Sequence, residues 1–183
     1  MSQNCNYGCA SLPAHQQVTC NDYAVGGISA AALIECDQTT ITDYTNATQW
    51  NAALASGVAK LILDIKGEIP AASPVLVDNP VGCGAQQIVT GMDNTAIWTD
   101  ANVIGGNDDL YAKLNLRKMY LVLFMCEEGQ IRVSESPVDF QAVPVVVPNN
   151  SRAMQMYNVT ASFFTKTGEI PFQLYSAPSG IFN

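Results

Sequence analysis

From position 119 onward, apolar and polar residues follow the periods of β-strands almost without interruption. Residues 119–126 (MYLVLFMC) are apolar at odd and even positions alike, which fits a strand covered on both faces. Glu127, Glu128 and Gly129 form a turn, and residues 130–134 (QIRVS) return with alternation, predicting a hairpin. A strand over 140–147 follows, then one over 154–164 (MQMYNVTASFF). In the latter, Tyr157, Val159, Ala161 and Phe163 take one face, and Asn158, Thr160 and Ser162 the other.

The earlier sequence is more broken. Residues 1–22 carry no periodicity and read as an extended arm, which holds one conformation only where its own domain or a neighbouring subunit ties it down. Residues 28–36 predict a strand, and 39–44 continue the extended segment. Thr45 or Asn46 caps a helix over 47–56 that ends at Gly57, with Trp50, Ala53 and Leu54 as its apolar stripe. A short strand over 61–65 closes at a turn formed by Gly67, Glu68, Ile69 and Pro70. A long loop punctuated by Pro74, Pro80, Gly82 and Gly84 is interrupted only by an apolar stretch at 75–77. Two strands, 87–91 and 96–101, are predicted on either side of an Asp93-Asn94 turn. Asn107 caps a second short helix over 108–115, whose apolar face is Leu110, Tyr111 and Leu114 and whose Asp108 and Asp109 suit the helix dipole.

About eight strands and two helices result, many strands being adjacent in sequence. The expected fold is mainly β: an antiparallel β-sandwich or partly rolled barrel with two short flanking helices and an extended N-terminal arm. The arm is residues 1–22, and residues 23–183 form a single β-rich domain. Lys66-Gly67-Glu68-Ile69-Pro70 recurs as Lys166-Thr167-Gly168-Glu169-Ile170-Pro171, each after an apolar strand. The flanks do not align, so the echo reads as shared turn chemistry, not a duplication.

Composition changes this picture in one respect. Of the 183 residues 48% are hydrophobic and only 13% charged, which suits a subunit whose surface is largely covered by partners; a compact monomer with a neutral polar surface is the plainer alternative. The net charge of −8 argues against binding nucleic acid through its phosphates. Residues 1–59 contain no Lys or Arg, only Asp22, Glu35, Asp37 and Asp43 as charges. Such a surface lets DNA slide past without sticking, or simply never meets it. The N-terminus lacks the basic and apolar regions of a signal peptide, and no window approaches 18 apolar residues, so a cytoplasmic origin without a membrane span is expected. The sequons at Asn46, Asn149 and Asn158 then carry no glycan.

Candidate chemistry is sparse. Cys5, Cys9, Cys20 and Cys36 follow a C-x3-C-x10-C-x15-C spacing without the paired knuckles of common zinc modules. Cys36 and Cys126 lie in apolar strands as small core residues. Three readings stay open for the cysteines: reduced core residues, a late disulfide among Cys5, Cys9 and Cys20, or zinc. His15, the single histidine, sits in the arm and reads as a solvated loop residue. Hydrolase elbows, phosphate loops and the zinc-protease helix motif are absent from the sequence. Asp93, Asp100, Asp108 and Asp109, with Asn94, Asn102 and Asn107 between them, are oxygen donors without calcium-loop spacing. Neither Asp64 with Glu68 nor Glu127 with Glu128 marks a glycosidase pair. The expectation is a protein that is not an enzyme, with no catalytic, cofactor-binding or metal residues and no cofactor. Met119, Met125, Met154, Met156, Tyr157, Phe163 and Phe164 are read as core, some of them as a subunit seam.

Three features carry a family resemblance: the helix over 46–56 running into 60–65 and the turn at 67–70; the segment 95–103 (TAIWTDANV) leading into the helix over 108–115; and the runs 118–126, 138–144 and 157–164. In this order the chain, over residues 40–165, resembles the structural proteins of tailed-bacteriophage virions, tail-tube subunits and their relatives among them. The resemblance implies a homo-oligomer that tiles into rings through sheet edges, arms and loops, meets other virion proteins, and is located in the virion after assembly in the host cytoplasm. It fits a tail tube or a head–tail (neck) component, or alternatively a capsid auxiliary (decoration) protein. As a conduit subunit it would turn acids such as Asp93, Asp100, Asp108 or Asp109 to the lumen, with no specific nucleic-acid binding and no membrane. A secreted or surface β-sandwich binding module for a peptide or glycan is the further alternative, and it requires a disulfide framework.

Overall fold

A computed structural model describes residues 27–36, 41–78, 87–101, 107–125, 129–144 and 156–182. The arm at 1–22, Cys5, Cys9, His15, Cys20, Cys83, Cys126, Glu127, Glu128, Met154 and the distal half of the strand predicted at 140–147 lie outside them. The described residues form ten strands and two helices: β1 (Ile28–Glu35), α1 (Ala47–Ser56), β2 (Ala59–Ile62), β3 (Ile65–Glu68), β4 (Ser73–Asp78), β5 (Gln87–Asp100), α2 (Asp108–Leu114), β6 (Lys118–Met125), β7 (Gln130–Ser134), β8 (Val138–Pro144), β9 (Tyr157–Lys166) and β10 (Phe172–Ser176).

Six of these strands close a ring in which every pairing is antiparallel: β1 to β6, β6 to β8, β8 to β9, β9 to β5, β5 to β3, and β3 back to β1. Four outer strands hang from it. Three barrel strands divide one edge between a ring neighbour and an outer strand. β6 pairs β8 through Lys118 and Met119 and β7 through Val122 to Met125. β1 pairs β3 at Ile28 and β2 from Ala31 to Ile34, while β5 pairs β4 at its start and β3 at its end.

This forking explains why two strands read as apolar throughout. Leu121 and Leu123 of β6, with Ala31 and Leu33 of β1, point into the barrel beside Trp98, Phe140, Val159 and Ala161. Val122 and Phe124, with Ala30, Ala32 and Ile34, point outward into a second core under α1, shared with Trp50, Ile131, Val133 and Phe182. A six-stranded barrel has no room for a channel, and its lumen is filled by side chains. β9 alternates as the sequence predicts, with Tyr157, Val159, Ala161 and Phe163 buried and Asn158, Ser162 and Phe164 exposed.

The first helix is specified locally. Asn46 Oδ1 accepts from the Thr48 and Gln49 amides at 2.9 and 3.4 Å, and Gly57 ends the helix at φ 79°. Trp50 is fully buried, its indole N–H donating to the Tyr44 carbonyl at 2.9 Å and its ring meeting Phe182 edge-on at 5.3 Å.

Several expectations are corrected. The predicted Asp93-Asn94 turn is the middle of one 14-residue strand, β5. Asn94 is buried there, and its amide donates to Thr165 Oγ1 at 2.9 Å and the Met92 carbonyl at 3.1 Å, so tertiary partners replace the turn its side chain favours. The strand predicted at 61–65 is two strands, broken at Leu63 and Asp64, where Asp64 takes φ 58°. Residues 41–44 turn instead of extending, because Asp43 Oδ1 accepts from the Thr45 amide and hydroxyl. Gly67 and Glu68 are strand, not turn, whereas Gly168 does occupy a turn at φ 92°. The Lys-Gly-Glu-Ile-Pro echo therefore has two different structures.

Candidate functional site

The acidic residues flagged in the sequence separate into two places. Asp93 projects from β5 beside Thr95, Asp139, Ser162 and Phe164 on the outer wall. Asp100, the last residue of β5, turns inward and is 2% exposed. Its Oδ2 accepts from the Tyr111 hydroxyl at 2.6 Å and from Asn107 Nδ2 at 3.3 Å. Asn107 thus spends its amide on β5 and makes no side-chain cap on α2, contrary to the predicted role. The Tyr157 hydroxyl, at the start of β9, donates to Asp108 Oδ1, and the Tyr111 and Tyr157 rings sit 4.5 Å apart. Asn115 exchanges hydrogen bonds with Ala142 of β8, 2.6 Å to its N–H and 3.0 Å to its carbonyl.

This network ties α2 across the end of the barrel where β5 stops and β9 begins. Burial, then the hydrogen bond and charge of Asp100, push the Tyr111 hydroxyl far above the usual tyrosine range. The Trp98 indole beside it works the other way, although its own buried N–H forms no hydrogen bond among the described residues. The hydrogen bond to Asp108, with burial and the charges of Asp108 and Asp100, pushes Tyr157 up to about 12. Both hydroxyls stay protonated at neutral pH and act as donors. The cluster is a latch, and its inward carboxylate cannot line a lumen as the resemblance implied for Asp100.

Cys36 was expected in the core and is instead exposed just past β1, its Sγ donating to the Lys118 carbonyl at 3.0 Å. Asp64 is exposed in the turn before β3, and Glu68 ends that strand beside Met125 and Arg132. Among the described residues no group of three or more His, Cys, Asp or Glu side chains gathers to hold a metal, and no helix is long and apolar enough to cross a membrane.

Two surface features were not foreseen. The first is a groove of about 310 Å³ where β7 and β10 meet the turn before α1, lined among others by Tyr44, Tyr120, Tyr175, Ser134, Glu135 and Gln173. The Tyr175 hydroxyl donates to Gln173 Oε1, and the Gln173 amide donates to Glu135 Oε1. The Tyr44 and Tyr175 rings are 5.3 Å apart, and the Tyr44 hydroxyl is pushed up by burial and by the neighbouring Tyr175 and Tyr120. The only signal in sequence is the two-residue spacing of Gln173 and Tyr175, which puts both on one face of β10.

The second is the ribbon of β4 and β5. Leu76 is 50% exposed, Val89, its partner in register, 46%, and Val77 47%. Among the described residues β4 pairs with β5 alone, so its other edge has no strand partner, and the same holds for β2 and β10. Pro74 on β4 fits such an edge position.

Comparison with known proteins finds no match: no family model, no curated protein and no solved structure is similar to the chain.

Proposed function

We propose that the chain is a structural subunit of a bacteriophage virion that self-assembles through sheet edges, a component of the tail tube or the head–tail (neck) region, with a capsid auxiliary (decoration) protein as the alternative place in the particle. The observation that carries this reading is the β4–β5 ribbon, where an edge strand without a described partner exposes Leu76 beside Val89 on one face and Val77 on the other. Long apolar edges of this kind template pairing with another chain, and natural monomers blunt them with charge. Only Asp78 supplies charge on β4. Charged residues are only 13% of the chain, so apolar contact at this edge has to outweigh the mutual repulsion of copies that each carry a net charge of −8.

In this reading the partners are further copies of the chain and other virion proteins, and DNA passes an acidic surface without adhering. No turnover is involved. The polar latch at the barrel end and the filled lumen give each subunit a rigid body to tile. The experiment is negative-stain electron microscopy across a concentration series with light scattering in parallel. Rings or stacked tubes are the expected result, and their symmetry separates tube from neck component. A protein that stays monomeric at every concentration overturns self-assembly; binding of that monomer to preformed capsids would then favour the auxiliary place.

A further inference from the structure

The groove beside β10 is lined by three tyrosines and one charged group, Glu135, with no Lys, Arg or His among its described lining residues. We infer that this groove binds a guanidinium group, that of an arginine side chain presented by a polypeptide partner. Aromatic rings attract cations through their quadrupole, and Tyr44, Tyr120 and Tyr175 all line the groove, Tyr44 and Tyr175 with rings 5.3 Å apart. The carboxylate is positioned in advance. Gln173 holds Glu135 Oε1, Tyr175 holds Gln173, and the main chain of Glu135 is fixed by its N–H to the Pro171 carbonyl at 3.4 Å. Glu135 Oε2 receives no hydrogen bond among the described residues and is left for an incoming donor.

The planar fork of a guanidinium suits this arrangement better than a spherical ammonium, since it stacks on a ring while reaching a carboxylate edgewise. A volume of about 310 Å³ is that of a small-group pocket, not of a domain interface. The net charge of −8 favours the approach of a basic segment. Binding of this group does not depend on self-assembly, so the two readings stand or fall separately.

The test uses the full chain and Nα-acetyl-argininamide as probe, titrated by calorimetry and by tyrosine fluorescence, with the citrulline analogue as a neutral isostere. Saturable binding of the arginine probe is expected, with the citrulline analogue about tenfold weaker. Glu135→Gln, which keeps the shape and a partner for Gln173, is expected to weaken the arginine probe about tenfold and leave the citrulline analogue unchanged. Tyr120→Leu is expected to weaken the arginine probe several-fold, by about the strength of one cation–ring contact. Equal binding of the two probes, an unchanged arginine affinity in Glu135→Gln with native circular dichroism, or no saturable binding by the wild-type chain would each overturn the inference.

Discussion

The Tyr111 hydroxyl donates to Asp100 Oδ2 at 2.6 Å, joining the short helix α2 to the last residue of β5. A carboxylate only 2% exposed depends on such donors, because burial without them costs several kcal/mol. Tyr111→Phe keeps the ring and removes the donor. We expect a loss of about 2 kcal/mol, read as a lower urea midpoint at unchanged slope.

Alkaline pH acts on the same latch. Tyr157 is raised from 10.0 to about 12, and Tyr111 is raised further. The native state therefore keeps protons that the unfolded state releases, so this stabilisation is full below pH 10 and is lost as pH climbs through 12. Urea midpoints measured from pH 9 upward should fall steeply above about 10, and Tyr157→Phe should flatten that fall. Tyrosinate absorbance at 295 nm should show hydroxyls that ionise above the ordinary tyrosine range, and Tyr157→Phe should remove one of them.

Gly67 is a place where a side chain does not fit. It pairs with Trp98 of β5 and with Ile28 of β1, at the joint that closes the ring. A Cβ there would lie 2.6 Å from the Ile97 carbonyl oxygen and 2.8 Å from Trp98 Cβ. Since strand backbone cannot retreat cheaply, Gly67→Ala should cost about 1–3 kcal/mol in a urea or thermal melt. Gly27→Ala, whose nearest contact is 3.4 Å, is the control and should stay within about 0.5 kcal/mol.

The exposed ribbon gives a prediction for assembly. Leu76→Lys with Val77→Asp places opposite charges on an already solvated edge. The melting temperature should hold within about 2 °C, because little buried area changes, while particle size by light scattering collapses to that of one chain.

Much of the architecture is legible in the sequence where the reporting contacts are local or repeated. The alternation of β9, the two-sided burial of β6 and the caps of α1 are each written into neighbouring residues. The failures share one cause. Asp93-Asn94 carries turn chemistry, but Asn94 satisfies its amide on Thr165, which is 71 residues away. Asn107 has the chemistry of a helix cap and gives its amide to Asp100 instead. Gly67, read as a turn residue, is small because Trp98 passes close by. The tyrosine groove draws Tyr44, Tyr120 and Tyr175 from three separate segments, and no pattern along the chain joins them. The expected arm at 1–22 lies outside the described residues.

The closed ring has a consequence for synthesis on the ribosome. β1 is made first of the described strands, yet its long partner β6 is made only after β5 and α2. β9 must then arrive to join β5 to β8, so a nascent chain that ends after Pro144 and before Tyr157 leaves one edge of β5 and one edge of β8 naked. Chains of this kind are the ones that chaperones hold and that stick to their neighbours on a polysome. Release from that hazard waits until β9 is free to pair with β5 and β8. A message truncated behind β8 yields an open, adhesive sheet instead of a smaller barrel.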